Sequence, residues 1–172
     1  MIRFGFIGTG RISDWVFKGA SEDSRIKVTA ICSRTEEAAK AFIERHPEIA
    51  GARIYTSVEE LANDPDIDAV YIGTPNQTHH AYAITALNAG KHVLCEKPFS
   101  VTGDEAREMA AAARANGKLL MEAMISTFNP NFRAFAEHAK DAAPLRQYHS
   151  SYCQYSSRYE DLRNGIIASC FQ

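Results

Sequence analysis

Two short segments of this chain carry residue types whose chemistries belong together. Gly8-Thr9-Gly10-Arg11-Ile12 follows the apolar run Ile2 to Ile7, and Cys95-Glu96-Lys97-Pro98-Phe99 closes a second apolar run that begins at His92. Glycines at the first two positions of a G-x-G-x-x-G turn, set between a strand and a helix, permit a tight bend. They also bring backbone amides up to a diphosphate at the positive end of the helix. Ser13 holds the third position, small but not glycine, so slightly looser helix–strand packing is expected there. Lys97 lies between a strand end and Pro98, on a turn that the proline ring stiffens. A hydride leaving carbon requires a proton to leave oxygen, and an ammonium–amine couple can carry it. A free lysine, at about 10.4, is too basic to do so readily near neutrality, but partial burial and the charge of an oxidised nicotinamide both lower that value. The pair of segments implies dinucleotide chemistry with Lys97 as acid and base, and Glu96 beside it either tunes the lysine or faces the opposite side.

The residues at other strand ends refine this. An NAD-preferring site usually ends its second strand in a carboxylate that binds the ribose 2′-hydroxyl. Here that strand ends Cys32-Ser33-Arg34. Arg34 can fork onto a 2′-phosphate and Ser33 can add a hydrogen bond, which favours NADP over NAD, with a solvated helix-start arginine as the alternative. The fourth strand runs into Gly73-Thr74-Pro75-Asn76-Gln77-Thr78-His79-His80. A loop at that edge of a parallel sheet is where ligands bind, so Thr74, Pro75, Asn76 and His79 are candidate cofactor contacts. The bland alternative is a Pro-Asn turn, with Thr78 as helix cap and one solvated histidine.

The elements that must position these groups alternate. Strands are expected at Ile2–Ile7, Ile26–Cys32, Ala52–Tyr55, Asp68–Ile72, His92–Cys95 and Leu119–Met121. Helices fall between them, with Ile12, Trp15, Val16 and Ala20 on one face of the first and Ala38, Ala41 and Phe42 on the second. Ser57–Glu60 and Thr102–Glu105 read as capping boxes, Asp64-Pro65-Asp66 as a break, and Gly90 as a helix end. Parallel strands need crossovers of this kind, so the fold class is α/β with a doubly wound parallel sheet over 1–123. From 124 to 172 the pattern changes. Asn129-Pro130 opens a helix bearing Phe132, Phe135 and Ala139, and a polar–aromatic stretch from Arg146 to Tyr155 suits a strand with one wet face. Tyr148, Tyr152, Tyr155 and Arg158 there either approach a substrate or pack a new sheet.

Composition narrows the class. Apolar residues make up 45% and charged residues 23%, as in ordinary globular domains. A net charge of −2 leaves no electrostatic footprint for nucleic acid or an anionic membrane, and no apolar stretch approaches a membrane span. Cys32, Cys95, Cys153 and Cys170 have no metal-ligand spacing, so no metal is expected and a reducing, cytoplasmic setting is the default.

Taken together, Gly5 to Ser13, Ser33-Arg34, Gly73 to His79, Ala89 to Val93 and Cys95 to Phe99 resemble the Gfo/Idh/MocA oxidoreductase family, and Leu120 to Met124 and Pro130 resemble its entry into a second domain. The resemblance implies a Rossmann domain over 1–123, followed at 124–172 by the start of an α/β domain with a mostly antiparallel sheet. It also implies a nicotinamide cofactor, a small-molecule substrate of the sugar, polyol or diol class, Lys97 as proton carrier, and a cis bond before Pro98. Members of that family run well beyond this length, so the chain is expected to be part of a longer protein that forms a homo-oligomer. A non-catalytic dinucleotide-binding module is the competing functional class.

Overall fold

Alternate residues along the strands face two separate apolar layers, and that alternation builds the molecule. In the computed structural model, which describes residues 1–141, 144, 146, 147, 149, 151, 153 and 159–165, the chain divides into two units, Met1–Ala123 and Met124–Gln172. The first holds six strands: β1 (Ile2–Ile7), β2 (Ile26–Cys32), β3 (Arg53–Tyr55), β4 (Ala69–Ile72), β5 (His92–Cys95) and β6 (Leu120–Glu122). All pair in parallel, in the order β3-β2-β1-β4-β5-β6. Between them run α1 (Arg11–Ser21), α2 (Glu36–Arg45), α3 (Val58–Asn63), α4 (His79–Asn88) and α5 (Gly103–Ala115). This is the doubly wound sheet expected from the sequence.

One layer gathers Phe6, Val28, Ile31 and Tyr71 against Phe17 of α1 and Ala39 and Phe42 of α2. The other takes the intervening strand residues, Ile7, Ala30, Cys32, Val70 and Ile72, against Leu61, Ala83, Leu87 and Met109 of α3 to α5. A one-residue slip of any central strand would exchange these layers, which is how burial on both faces fixes the register.

Side chains cap three of these helix starts, whereas Thr78 makes no cap bond at α4. Thr35 accepts from the amide of Ala38, and Thr102 with Glu105 forms a complete capping box at α5. At α3 only half of the expected box is made: Ser57 accepts from the Glu60 amide, but its hydroxyl donates to Glu59. The buried face of α1 also differs from expectation. Ser13 and Phe17 point inward, whereas Trp15 is 64% exposed. Phe17 wins because it fills the aromatic cluster of Phe6, Phe42 and His46, leaving no place for an indole.

Two polar ties lock the lower rim. Arg3 grips Asp68 through Nε at 3.0 Å and Nη2 at 2.7 Å, joining β1 to the start of β4. The Lys91 ammonium, 8% exposed, donates to the carbonyls of Asp64 and Ile67. In the second unit, Asn129 caps α6 (Pro130–Asp141) by accepting from the amides of Asn131 and Phe132, and α7 spans Tyr159–Arg163. The strand expected from Arg146 to Tyr155 falls partly outside the described residues, as do Tyr148, Tyr152, Tyr155 and Arg158. Its described members, Arg146, Gln147, His149, Ser151 and Cys153, lie in no strand.

Candidate functional site

The sheet order reverses direction between β1 and β4, and in an open α/β sheet the crevice outside such a switch point is the place for a ligand. Ladder bonds continue past the strand ends there: the Gly8 amide donates to Cys32, the Gly73 amide to Ile7, and the Glu96 amide to Ile72. The loops after β1, β2, β4 and β5 therefore leave the sheet at one rim. A groove of about 620 Å³ opens on it.

Gly8, Thr9 and Gly10 line this groove, together with Ser33, Arg34, Thr74 and Pro75, all expected from the sequence. Gly8 has φ +104, and a Cβ on it would lie 2.5 Å from the carbonyl oxygen of Gly73. Only glycine fits a turn that close to its neighbour. Gly10 has ordinary extended dihedrals and caps α1 without a side chain, and a Cβ there would meet nothing within 4 Å. Its missing side chain thus serves open space rather than packing. Behind it, the first amides of α1 have no acceptor within the helix and mark its positive end. Gly73 makes room of another kind, for the buried hydroxyls of Ser13 and Tyr71.

The turn is braced from outside the groove. Arg45 donates to the Thr9 carbonyl and to Asp14, whose carboxylate also meets His46 at 2.8 Å. Burial raises the Asp14 pKa, but hydrogen bonds from His46 and Arg45 outweigh it and leave the group below its ordinary value. Across the groove, the Thr9 and Ser33 hydroxyls lie 3.2 Å apart, linking the phosphate turn to the end of β2. Cys32 sits in the floor, where burial pushes its thiol up to about 11, so it is an apolar wall rather than a nucleophile. Ile7 and Gly73 of the strand ends also line the groove, as do Thr35, Ala38, Thr56, Val58, Thr78 and Tyr82. None of the last six was singled out from sequence as a site residue. Thr56 follows the third strand and was findable from the strand-end rule, whereas Tyr82 had no sequence signal.

Arg11 and Ile12 lie outside this lining; they contribute the opening backbone of α1, with Arg11 exposed and Ile12 half-buried. Asn76 sits in a short 3-10 turn and does not line the groove either. His79 and Glu96 are buried and also lie outside the lining. His79 is fully buried, with Nδ1 2.9 Å from the Pro98 carbonyl and Nε2 2.9 Å from the Thr74 carbonyl. Glu96 is 6% exposed; one carboxylate oxygen accepts from the Tyr71 hydroxyl at 3.1 Å and the other from the Lys97 amide. Both side chains are engaged within the fold, and neither lines the groove.

What they hold is the Lys97 turn. The Lys97–Pro98 peptide is cis, as the resemblance implied. The Lys97 amide donates to Glu96, the Pro98 carbonyl meets His79, and the Phe99 amide donates to Glu122 at 3.0 Å. Cys95 adds a weak thiol contact to the Phe99 carbonyl. Lys97 itself is exposed on this pinned loop. A fixed backbone carrying a solvent-facing amine at the same sheet rim as an open glycine turn is suited to proton transfer beside a bound dinucleotide.

Comparison with known proteins fits this geometry. The family model GFO_IDH_MocA, described as an oxidoreductase family with an NAD-binding Rossmann fold, matches residues 2–124. A scyllo-inositol 2-dehydrogenase (NADP(+)) of Bacillus subtilis is 43% identical over 172 residues, the whole of this chain and 52% of that protein. The trans-1,2-dihydrobenzene-1,2-diol dehydrogenase of Bos taurus is 41% identical over 135 residues, 77% of this chain and 39% of its own length. Among solved structures, a 3-ketoreductase from Actinomadura kijaniata in complex with NADP superposes with a TM-score of 0.73 at 35% identity, over 83% of this chain and 44% of that one. The chain thus spans about half the length of the first of these relatives.

Proposed function

This chain belongs to the Gfo/Idh/MocA oxidoreductase family, and on that premise we propose that the protein moves a hydride between NADP and a sugar, polyol or diol-type alcohol or carbonyl. The observation that carries the reading is the groove itself: an unfilled glycine turn, Ser33 and Arg34 beside it, and no carboxylate at the end of β2. Within the turn from Gly8 to Ile12, the backbone amides that follow Gly8 face the diphosphate, where the helix terminus favours negative charge, while the Gly8 amide stays with Cys32. Arg34 pairs with the 2′-phosphate and Ser33 adds a hydrogen bond, so a ribose without that phosphate leaves the guanidinium idle. NAD is then the weaker ligand. Thr74 and Pro75 wall the passage along β4 toward the nicotinamide end.

A bound nicotinamide cofactor supplies the hydride acceptor or donor. Lys97 takes the hydroxyl proton in the oxidative direction and returns it in the reductive one, its loop held still by Glu96, His79 and Glu122. The substrate is a small molecule, the setting cytoplasmic, and the complete protein a homo-oligomer. The names of the relatives support an inositol-like or diol-like alcohol.

Titration of this chain with NADP⁺ and with NAD⁺ tests the cofactor assignment. NADP⁺ should bind more tightly, and Arg34→Ala should remove most of the difference; unchanged discrimination rejects the role of Arg34. In the complete protein, Lys97→Met should lower turnover by about 10²–10⁴-fold while nucleotide affinity is kept. Turnover equal to that of the parent protein removes Lys97 from the mechanism.

A further inference from the structure

Four side chains hold the Lys97–Pro98 turn, and His79 is the one of them that also reaches the wall of the nucleotide groove. Its ring lies between the Pro98 carbonyl, within the turn, and the Thr74 carbonyl, on the loop that lines the groove, at 2.9 Å from each. A carbonyl oxygen only accepts, so the ring donates to one of them in either neutral tautomer and to both when doubly protonated. Both contacts are hydrogen bonds only when both nitrogens carry a proton; in either neutral form one carbonyl is bonded and the other is only packed against the ring, which has no exposure to solvent. The residue is also the first of α4, so the bridge is seated on a helix rather than on a third loop. The other three anchors tie the turn elsewhere: Glu96 to Tyr71 beneath the sheet end, Glu122 to β6, and Cys95 within its own strand end.

We propose that His79 is a positioning residue that couples the Thr74 loop to the Lys97 turn, so that a nucleotide ordering the first also orders the second. The lysine is then set in place when cofactor occupies the groove, without a direct contact between cofactor and turn being required. A histidine suits this task because a rigid, planar ring that can carry an N–H donor at either edge holds two carbonyls at a fixed separation. A flexible amide or amine would pay rotamer entropy for the same reach. The ligand arm of this proposal rests on the nucleotide reading above; the mechanical arm does not.

Amide hydrogen exchange on this chain, read separately at residues 73–78 and 97–101, tests both arms with three proteins: the parent chain, His79→Phe and His79→Gln. His79→Phe keeps a planar ring and removes both polar edges, while His79→Gln restores a donor. Without ligand, His79→Phe should speed exchange in both segments together by roughly tenfold, the scale that one hydrogen bond sets on local opening, with β2 and α2 unchanged as the internal control. His79→Gln should recover part of that protection. With NADP⁺, the parent chain should gain protection at both segments, and His79→Phe at 73–78 alone. The proposal is overturned if exchange at 97–101 is unaffected by His79→Phe, if Gln restores nothing, or if NADP⁺ still protects 97–101 in His79→Phe. Absence of NADP⁺ protection anywhere on the parent chain would instead defeat the nucleotide reading, and the unliganded comparison would still decide whether His79 couples the two segments.

Discussion

Gly8 and Gly10 are two residues apart and serve opposite purposes, so alanine at each separates folding from binding. At Gly10 the backbone lies at φ −80 and ψ 175, which alanine adopts freely, and the new methyl meets nothing within 4 Å. Alanine is a poorer helix cap than glycine but restricts the unfolded chain, and these effects offset to within about 1 kcal/mol. Gly10→Ala should therefore unfold in urea close to the parent chain. Its methyl, however, projects into the space reserved for the diphosphate. Losing one charge-assisted amide contact there costs about 1.5–3 kcal/mol, or roughly 10–100-fold in NADP⁺ affinity. Gly8→Ala is the converse. At φ +104 a side chain is strained by about 1–3 kcal/mol. A methyl 2.5 Å from the Gly73 oxygen must also part the two loops, endangering the 2.8 Å bond from the Gly73 amide to Ile7, worth about 1 kcal/mol. Urea unfolding should place this variant about 2–4 kcal/mol below the parent chain. The assay is isothermal titration with NADP⁺ beside urea curves followed by Trp15 fluorescence or circular dichroism. If Gly10→Ala binds NADP⁺ as tightly as the parent chain, the diphosphate does not lie on this turn. If Gly8→Ala is as stable as the parent, the steric account of β1 and β4 is wrong.

Other expectations concern the supports of the site. Tyr71→Phe keeps the ring among Phe6 and its neighbours but leaves one oxygen of the buried Glu96 without its donor. A loss of about 1–3 kcal/mol in urea unfolding is expected, and a neutral result would remove Tyr71 from the anchoring of the Lys97 turn. The Arg3 guanidinium beside Asp68 holds that carboxyl down at about 2. Because the folded value lies below the unfolded one of about 3.9, the stabilisation is complete above that pH and is lost as pH falls toward 2. The pair is partly exposed, so added salt should weaken it, and Asp68→Asn should flatten this part of the acid limb of a stability–pH curve. An unchanged acid limb in that variant would show that other carboxylates govern it.

Much of the scaffold was legible in sequence because its signals are local. Runs such as Ile2–Ile7 and Ile26–Cys32 are mostly apolar and buried on both faces toward their C-terminal ends, and Thr102 and Glu105 declare a helix start three residues apart. Gly8 and Gly10 declare a turn, and Ser33 and Arg34 follow from counting strands. What sequence missed depends on partners far along the chain. Trp15 looked like a core residue by spacing, but the identity of the inward face of α1 was decided by Phe42 of α2, by His46 just after that helix, and by the small space beside Gly73. For His79 and Glu96 the sequence could not give the side-chain partners, because the Pro98 and Thr74 carbonyls and the Tyr71 hydroxyl come from neighbouring loops and strands that only the folded sheet brings together. Thr56 and Tyr82 join the groove for the same topological reason.

The most direct test of the account is a crystal structure of this chain grown with NADP⁺. It should show the diphosphate against the amides that follow Gly8 and Gly10, the 2′-phosphate beside Arg34 and Ser33, and the nicotinamide extending past Thr74 toward the Lys97 side of the rim. A nucleotide bound elsewhere, or one whose nicotinamide end points away from Lys97, would contradict it.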